Sequence, residues 1–169
     1  MGNSKSHVLG FTSHTEFIRP ENDFYSTDPR EVEKLLEREV FEGTIWECAC
    51  GNGAISEVLE MHYPDSVFSS DLYNRGYGST GINFLKDTES YDNIITNPPY
   101  KYALEFVQHA LKLANKKVAM FLKLTFLEGK SRYNFFQENP PAKVYVFSYR
   151  AMCYRNGDKT IKNAQSSSI

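Results

Sequence analysis

No apolar run in this chain can cross a bilayer. The longest, residues 118–122, falls far short of the roughly 20 residues a spanning helix needs. No charged start followed by an apolar stretch marks a secretory leader. Cysteine is scarce, at 3 in 169 residues, and Cys48, Cys50 and Cys153 offer neither a disulfide framework nor a metal-ligand spacing. That usage fits a reduced, cytoplasmic compartment. No internal repeat is found, and the only polar low-complexity stretch is the tail at 163–168. With 41% hydrophobic residues, the chain can build one globular core. Gly2 and Ser6 fit the loose N-myristoylation pattern, which acts only where the modifying enzyme exists.

Charge of one sign is also lacking overall, at a net −2, yet it is unevenly divided. Residues 1–100 hold 7 Lys and Arg against 17 Asp and Glu, whereas residues 101–169 hold 12 against 4. The basic C-terminal half can meet phosphates, and the acidic half tolerates a cationic ligand.

Residues 1–21 lack periodicity and read as an N-terminal arm; residues 22–169 read as one domain. Thr27 or Asp28, followed by Pro29, opens a helix whose Val32, Leu35, Leu36 and Val40 share a buried face and which Gly43 ends. A strand is expected over 45–50, then the turn Gly51-Asn52-Gly53 and a helix carrying Ile55, Val58, Leu59 and His62. His62 has no evident catalytic partner there. Further strands are expected over 66–71, 82–85, 91–97, 117–124 and 143–149. A long helix buries Ala103, Phe106, Val107, Ala110, Leu111 and Ala114, and a short one covers 131–138. Strands alternating with helices argue an α/β fold with a mainly parallel sheet covered on both faces.

The most specific signal is Asn97-Pro98-Pro99-Tyr100 directly after the apolar run Ile94-Ile95-Thr96. Two prolines stop the strand because neither offers an N–H to a ladder. The loop then displays a carboxamide, fixed carbonyls and an aromatic ring at a strand's carboxyl end, where open α/β sheets bind ligands. An amine on a conjugated ring is a poor nucleophile because its lone pair is delocalised. Two acceptors, the Asn97 side-chain oxygen and the Pro98 carbonyl, can draw that nitrogen towards tetrahedral geometry. Tyr100 offers a face on which a base can stack, worth on the order of 1–3 kcal/mol. No general base is needed before attack, since the proton becomes acidic only once the nitrogen is alkylated. The arrangement suits methyl transfer to an exocyclic amine.

On these residues the chain resembles the DNA adenine N6-methyltransferases that use S-adenosylmethionine, and most closely the small phage and prophage forms. The resemblance runs from about Asn22 to the C-terminus and rests on several motifs in one order. Phe24-Tyr25-Ser26-Thr27-Asp28-Pro29 resembles the motif that closes over the methionine end of the cofactor. Trp46-Glu47-Cys48-Ala49-Cys50-Gly51-Asn52-Gly53 resembles the family's first cofactor motif, an acidic residue before a Gly-x-Gly turn; alone, such a turn fits any tight strand-to-helix connection. Asp71, at the end of the next strand, can accept both hydroxyls of a ribose. Asn83-Phe84 stands where the family usually has Asp-Phe, so one charge-assisted bond to the cofactor's adenine is replaced by a neutral one.

The resemblance implies a Rossmann-like methyltransferase three-layer sandwich. It implies Asn97, Pro98, Pro99 and Tyr100 as catalytic residues. Cofactor contacts are implied at Tyr25, Thr27, Glu47, Cys48, Ala49, Gly51, Gly53, Asp71, Leu72, Asn83, Phe84 and Asn97, with no metal. Lys123, Arg132 and Arg150 are the expected DNA contacts of a monomeric enzyme, with no membrane partner. Proteins of this fold usually add a seventh, antiparallel strand between the fifth and sixth. The sequence stops about where that strand would begin, so a C-terminally incomplete domain is expected. Methyl transfer to RNA or to a protein glutamine, and a non-catalytic remnant that binds nucleic acid, are the competing readings.

Overall fold

The computed structural model describes residues 24–160; the expected N-terminal arm, the myristoylation pattern and the polar tail lie outside them. The described elements run β1 (Tyr25–Thr27), α1 (Pro29–Leu36), β2 (Ile45–Glu47), α2 (Ala54–His62), β3 (Val67–Asp71), β4 (Ser79–Thr80), β5 (Tyr91–Thr96), α3 (Ala103–Leu113), β6 (Ala114–Met120), α4 (Lys130–Glu138) and β7 (Cys153–Arg155). Five strands form one sheet in the order β4-β3-β2-β5-β6, every neighbouring pair parallel. β1 and β7 form a separate antiparallel pair. This is the expected α/β architecture. Among the described residues, no helix is long and apolar enough to cross a membrane.

Alternation along the central strands builds a core on each face. Ile45 and Ile95 face α1 and α2, packing with Val32, Ile55, Val58 and Leu59. Trp46 and Ile94 face the other way, onto Phe84, Phe106, Ala110 and Leu113. α1 starts as the sequence suggests: Asp28 accepts from the Arg30 N–H at 3.0 Å, and Pro29 fills the first turn. α1 ends at Leu36, seven residues before Gly43, so Val40 is 67% exposed and not part of the buried face.

Three expectations are corrected. Residues 82–85 are not a strand; Asn83 caps a single 3₁₀ turn over Phe84–Lys86, and the edge strand is the shorter β4 at Ser79–Thr80. α3 ends at Leu113, and Ala114 already belongs to β6, which starts three residues before the expected strand; Leu111 faces outward and Leu113 is buried instead. Residues 143–149 form no ladder. Their polar ends are drawn instead to two α1-side acids: Lys143 and Tyr145 donate to Glu39 at 2.5 and 2.6 Å, and Tyr149 donates to Glu31 at 2.6 Å. A cavity of about 1160 Å³ lined by β6, α1 and residues 140–149 lies beside the sheet. Among the described residues β6 pairs only with β5, so its other edge is open.

The parallel sheet is held chiefly by its two-sided core. Ile94 is fully buried at the centre of that core. Ile94→Ala should lower unfolding free energy by about 2–5 kcal/mol, read as a reduced urea midpoint with an unchanged slope.

Candidate active site

Parallel pairing of β2 with β5, with Ile45 opposite Asn93 and Trp46 opposite Ile94, sets their carboxyl ends side by side. The glycine turn follows β2, and the Asn97 loop follows β5. The short strand β1 spans both. Ser26 Oγ donates to Asn52 Oδ1 at 2.9 Å, while Asn97 Nδ2 donates to Thr27 Oγ1 at 3.1 Å and to the Tyr25 carbonyl at 3.4 Å. Three segments far apart in sequence thus meet at one sheet edge.

The turn is built for close backbone approach. Gly51 and Gly53 have φ of +57° and +87°, and Gly53 directly precedes α2. A Cβ at Gly53 would collide with the Tyr77 ring, so a side chain is excluded by space as well as by conformation. Asp71 closes the turn from β3. Its Oδ2 accepts from the Gly51 N–H at 2.9 Å and its Oδ1 from the Tyr73 N–H at 2.8 Å. Each carboxylate oxygen still has a lone pair for a ligand hydroxyl. Leu72 is exposed next to it. The expected ribose acceptor and both expected glycines therefore lie together.

Glu47 ends β2, Cys48 and Ala49 lead from it towards that turn, and Glu47 is 1% exposed. Its Oε2 accepts from Ser56 Oγ at 2.6 Å and its Oε1 from Thr96 Oγ1 at 3.3 Å; Ser69 Oγ in turn donates to Ser56 Oγ at 2.7 Å. Burial raises the Glu47 carboxyl to about 7, outweighing the hydroxyl donors. Burial likewise drives the Cys48 thiol well above its usual range and Cys50 up to about 12. These thiols are neutral and unreactive at physiological pH. None of the three cysteines is in a disulfide.

In the Asn97 loop, both carboxamide bonds use Nδ2. That fixes the amide plane and leaves Oδ1 as the acceptor for another group. Pro98 is buried and Pro99 exposed. The Tyr100 ring stacks on Tyr25 with centroids 6.3 Å apart, and Lys123 Nζ sits 4.8 Å from its centre.

Other expected residues are placed differently. Asn83 Oδ1 accepts from the Leu85 N–H at 3.1 Å as a turn cap. Phe84 is enclosed in the core, 5.2 Å from the Trp46 ring and 4.9 Å from Phe106. The Arg132 guanidinium is engaged by the carbonyls of Phe126, Thr125 and Glu128. Arg150 is exposed. His62 contacts Glu33 at 2.9 Å on the surface of the helix pair, away from this edge.

Nothing in the sequence points to the strap that holds β1. β7 pairs with it antiparallel, Ser26 opposite Tyr154, and Tyr154 donates to Asp28 Oδ2 at 2.8 Å. Asp28 is also paired with Arg30 at 2.8 Å, and that neighbour chiefly holds its carboxyl at about 2. Buried Glu31 accepts from the Met152 N–H and from Tyr149. A three-residue strand without apolar alternation carries no sequence signal. Ser56 and Thr96 were equally invisible, although a hydroxyl amid an apolar strand is the one clue Thr96 offered.

No family model matches the chain, and no curated protein matches it. Among solved structures, it is similar to a Pyrococcus horikoshii protein named as an RNA methyltransferase, at 14% identity and a TM-score of 0.50, over 65% of this chain and 64% of that one. It is also similar to the magnesium protoporphyrin IX methyltransferase of Synechocystis, at 18% identity and a TM-score of 0.44, over 69% and 63% of the two chains. The chain thus spans less than two thirds of the length of these structures. The first likeness agrees with the topology above: the chain has a Rossmann-like α/β fold.

A buried carboxyl raised from the usual 4.5 to about 7 favours folding while it is neutral. Its contribution is complete below about pH 4.5 and is lost as pH rises through 7. The cofactor-free protein should therefore melt at lower temperature at pH 8.5 than at pH 5.5. In Glu47→Gln, which cannot ionise, that fall should be smaller, as read by differential scanning calorimetry.

Proposed function

We propose that this protein transfers a methyl group from S-adenosylmethionine to the exocyclic N6 amine of adenine in DNA. The observation that carries the reading is the orientation of Asn97. Its NH₂ is held by β1, so its oxygen is the group offered to an incoming amine, next to the Pro98 carbonyl and the Tyr100 ring. The residues present fit the cofactor: two left-handed glycines leave backbone space, and Asp71 retains acceptor capacity on both oxygens. When bound, the cofactor supplies an electrophilic methyl group on a sulfonium.

Gly51 and Gly53 admit its methionine end against the backbone and the N-terminus of α2, which favours a carboxylate. Asp71 accepts the ribose hydroxyls. Asn97 Oδ1 and the Pro98 carbonyl each accept one N–H of the target amine, and those bonds strengthen as the nitrogen pyramidalises, so they act on the transition state more than on the ground state. Tyr100 stacks the base, which has to leave the duplex to reach the loop. Alignment of amine and methyl supplies much of the rate. To Lys123, whose Nζ lies 4.8 Å from the Tyr100 ring centre, we assign the phosphate of the extruded nucleotide.

Incubating the protein with labelled cofactor and unmethylated DNA is the direct test. Label is expected at adenine N6; label entering RNA or protein instead assigns a different acceptor. Asn97→Ala should keep cofactor affinity and lower turnover at saturation by roughly 100-fold or more, the scale seen when one preorganised transition-state partner is removed. Near-normal turnover in that variant would make the loop structural only. Lys123→Ala should weaken DNA binding regardless of sequence and reduce the slope of log affinity against log salt by about one.

A further inference from the structure

We infer that Glu47 is a positioning residue that ties the Asn97 loop to the cofactor turn through Thr96 and Ser56, and is not itself a ligand of the cofactor. The inference rests on the methyl-transfer reading for its activity readout, but the network stands on geometry alone. Four polar side chains from four elements meet inside the molecule: Glu47 after β2's apolar pair, Ser56 on α2, Ser69 on β3 and Thr96 at the end of β5. Glu47 is 1% exposed, Ser56 and Thr96 no more so, and Ser69 is 8% exposed. Each Glu47 oxygen accepts from an internal hydroxyl, Ser56 at 2.6 Å and Thr96 at 3.3 Å, while Ser69 holds Ser56 at 2.7 Å, and burial keeps both oxygens from the surface.

A carboxylate that binds a cationic ligand has to present an oxygen to it. This one is buried against the hydroxyls of Ser56 and Thr96 and the Ser56 backbone, and its acidic neighbour is Asp71. Its bonds reach the two halves of the site instead. Ser56 lies in the first turn of α2, three residues past Gly53, and Thr96 is the residue before Asn97. Removing the Thr96 hydroxyl releases the loop from within, while β1 still holds Asn97 from outside. Glu47 thereby sets where the acceptor oxygen of Asn97 sits relative to the glycine turn.

Three measurements on the full chain test this: S-adenosylhomocysteine affinity by calorimetry, methyl transfer into DNA at saturating cofactor, and hydrogen exchange of the amides at 97 and 100–102. Thr96→Val, close in shape but without the hydroxyl, should hold homocysteine-form affinity within about threefold, cut turnover at least tenfold, and speed loop exchange in the cofactor-free protein. Glu47→Gln still accepts from Thr96 and should keep affinity within about threefold, with loop exchange close to the unaltered chain. A tenfold or greater loss of affinity in Glu47→Gln, with loop exchange unchanged in Thr96→Val, would make Glu47 a cofactor ligand and overturn the inference. If the unaltered protein neither binds S-adenosylhomocysteine nor methylates DNA, the proposed function fails. Loop exchange in Thr96→Val then decides the network alone, and no acceleration overturns it.

Discussion

The site depends on one contact made by a strand that is not part of the main sheet. Asn97 reaches back 70 residues to donate to Thr27 and also donates to the Tyr25 carbonyl, and the same three-residue β1 reaches Asn52 through Ser26. An unrestrained carboxamide could present either end to solvent. Here the donor end is consumed by β1, which leaves the acceptor end outward. Such a short strand cannot hold itself; a two-stranded ribbon is marginal in water. β1 is held because β7 completes its ladder and because Asp28 and Glu31, directly after it, bind Tyr154, Tyr149 and the Met152 amide. The C-terminal part of the described chain is therefore structurally part of a site whose chemistry lies in its N-terminal two thirds.

The carboxyl edge concentrates acidic groups of unlike character. Asp71 is satisfied by two backbone N–H groups and has lone pairs to share, so it can serve a ligand. Asp28 is locked by a guanidinium, a cap and a phenol, so it serves structure. Glu47 is sealed among hydroxyls and favours its neutral form. These three carboxyl groups thus take three roles, and environment alone distinguishes them.

Most of the sheet was legible because apolar strands alternating with amphipathic helices have few solutions. The glycine turn, Asp71 and the Asn97 loop were legible because strand ends and special backbone conformations leave marks in sequence. What failed shares a cause. Residues 143–149 read as a strand by their alternation of valine with aromatics, yet that same alternation places Lys143, Tyr145 and Tyr149 on one side, where Glu39 and Glu31 bind them. Phe84 had a motif position, but Trp46 and Phe106 enclose it. In both cases a tertiary partner, absent from any local window, decided the outcome.

The chain passes from α3 to β6 between Leu113 and Ala114 with no intervening residue. A helix advances about 100° per residue and a strand alternates by 180°, so this junction welds two different periodicities. A loop would absorb the gain or loss of a residue; here the only slack nearby is the bulge in β6 between Ala114 and Lys117, where three residues advance against two of β5. Beyond what that bulge takes up, an added residue must either turn α3 so that Phe106 and Ala110 leave the core, or reverse the faces of β6 so that Val118 and Met120 exchange sides with Ala119. The spacing between these two elements is consequently hard to edit, although no residue at the junction touches the site.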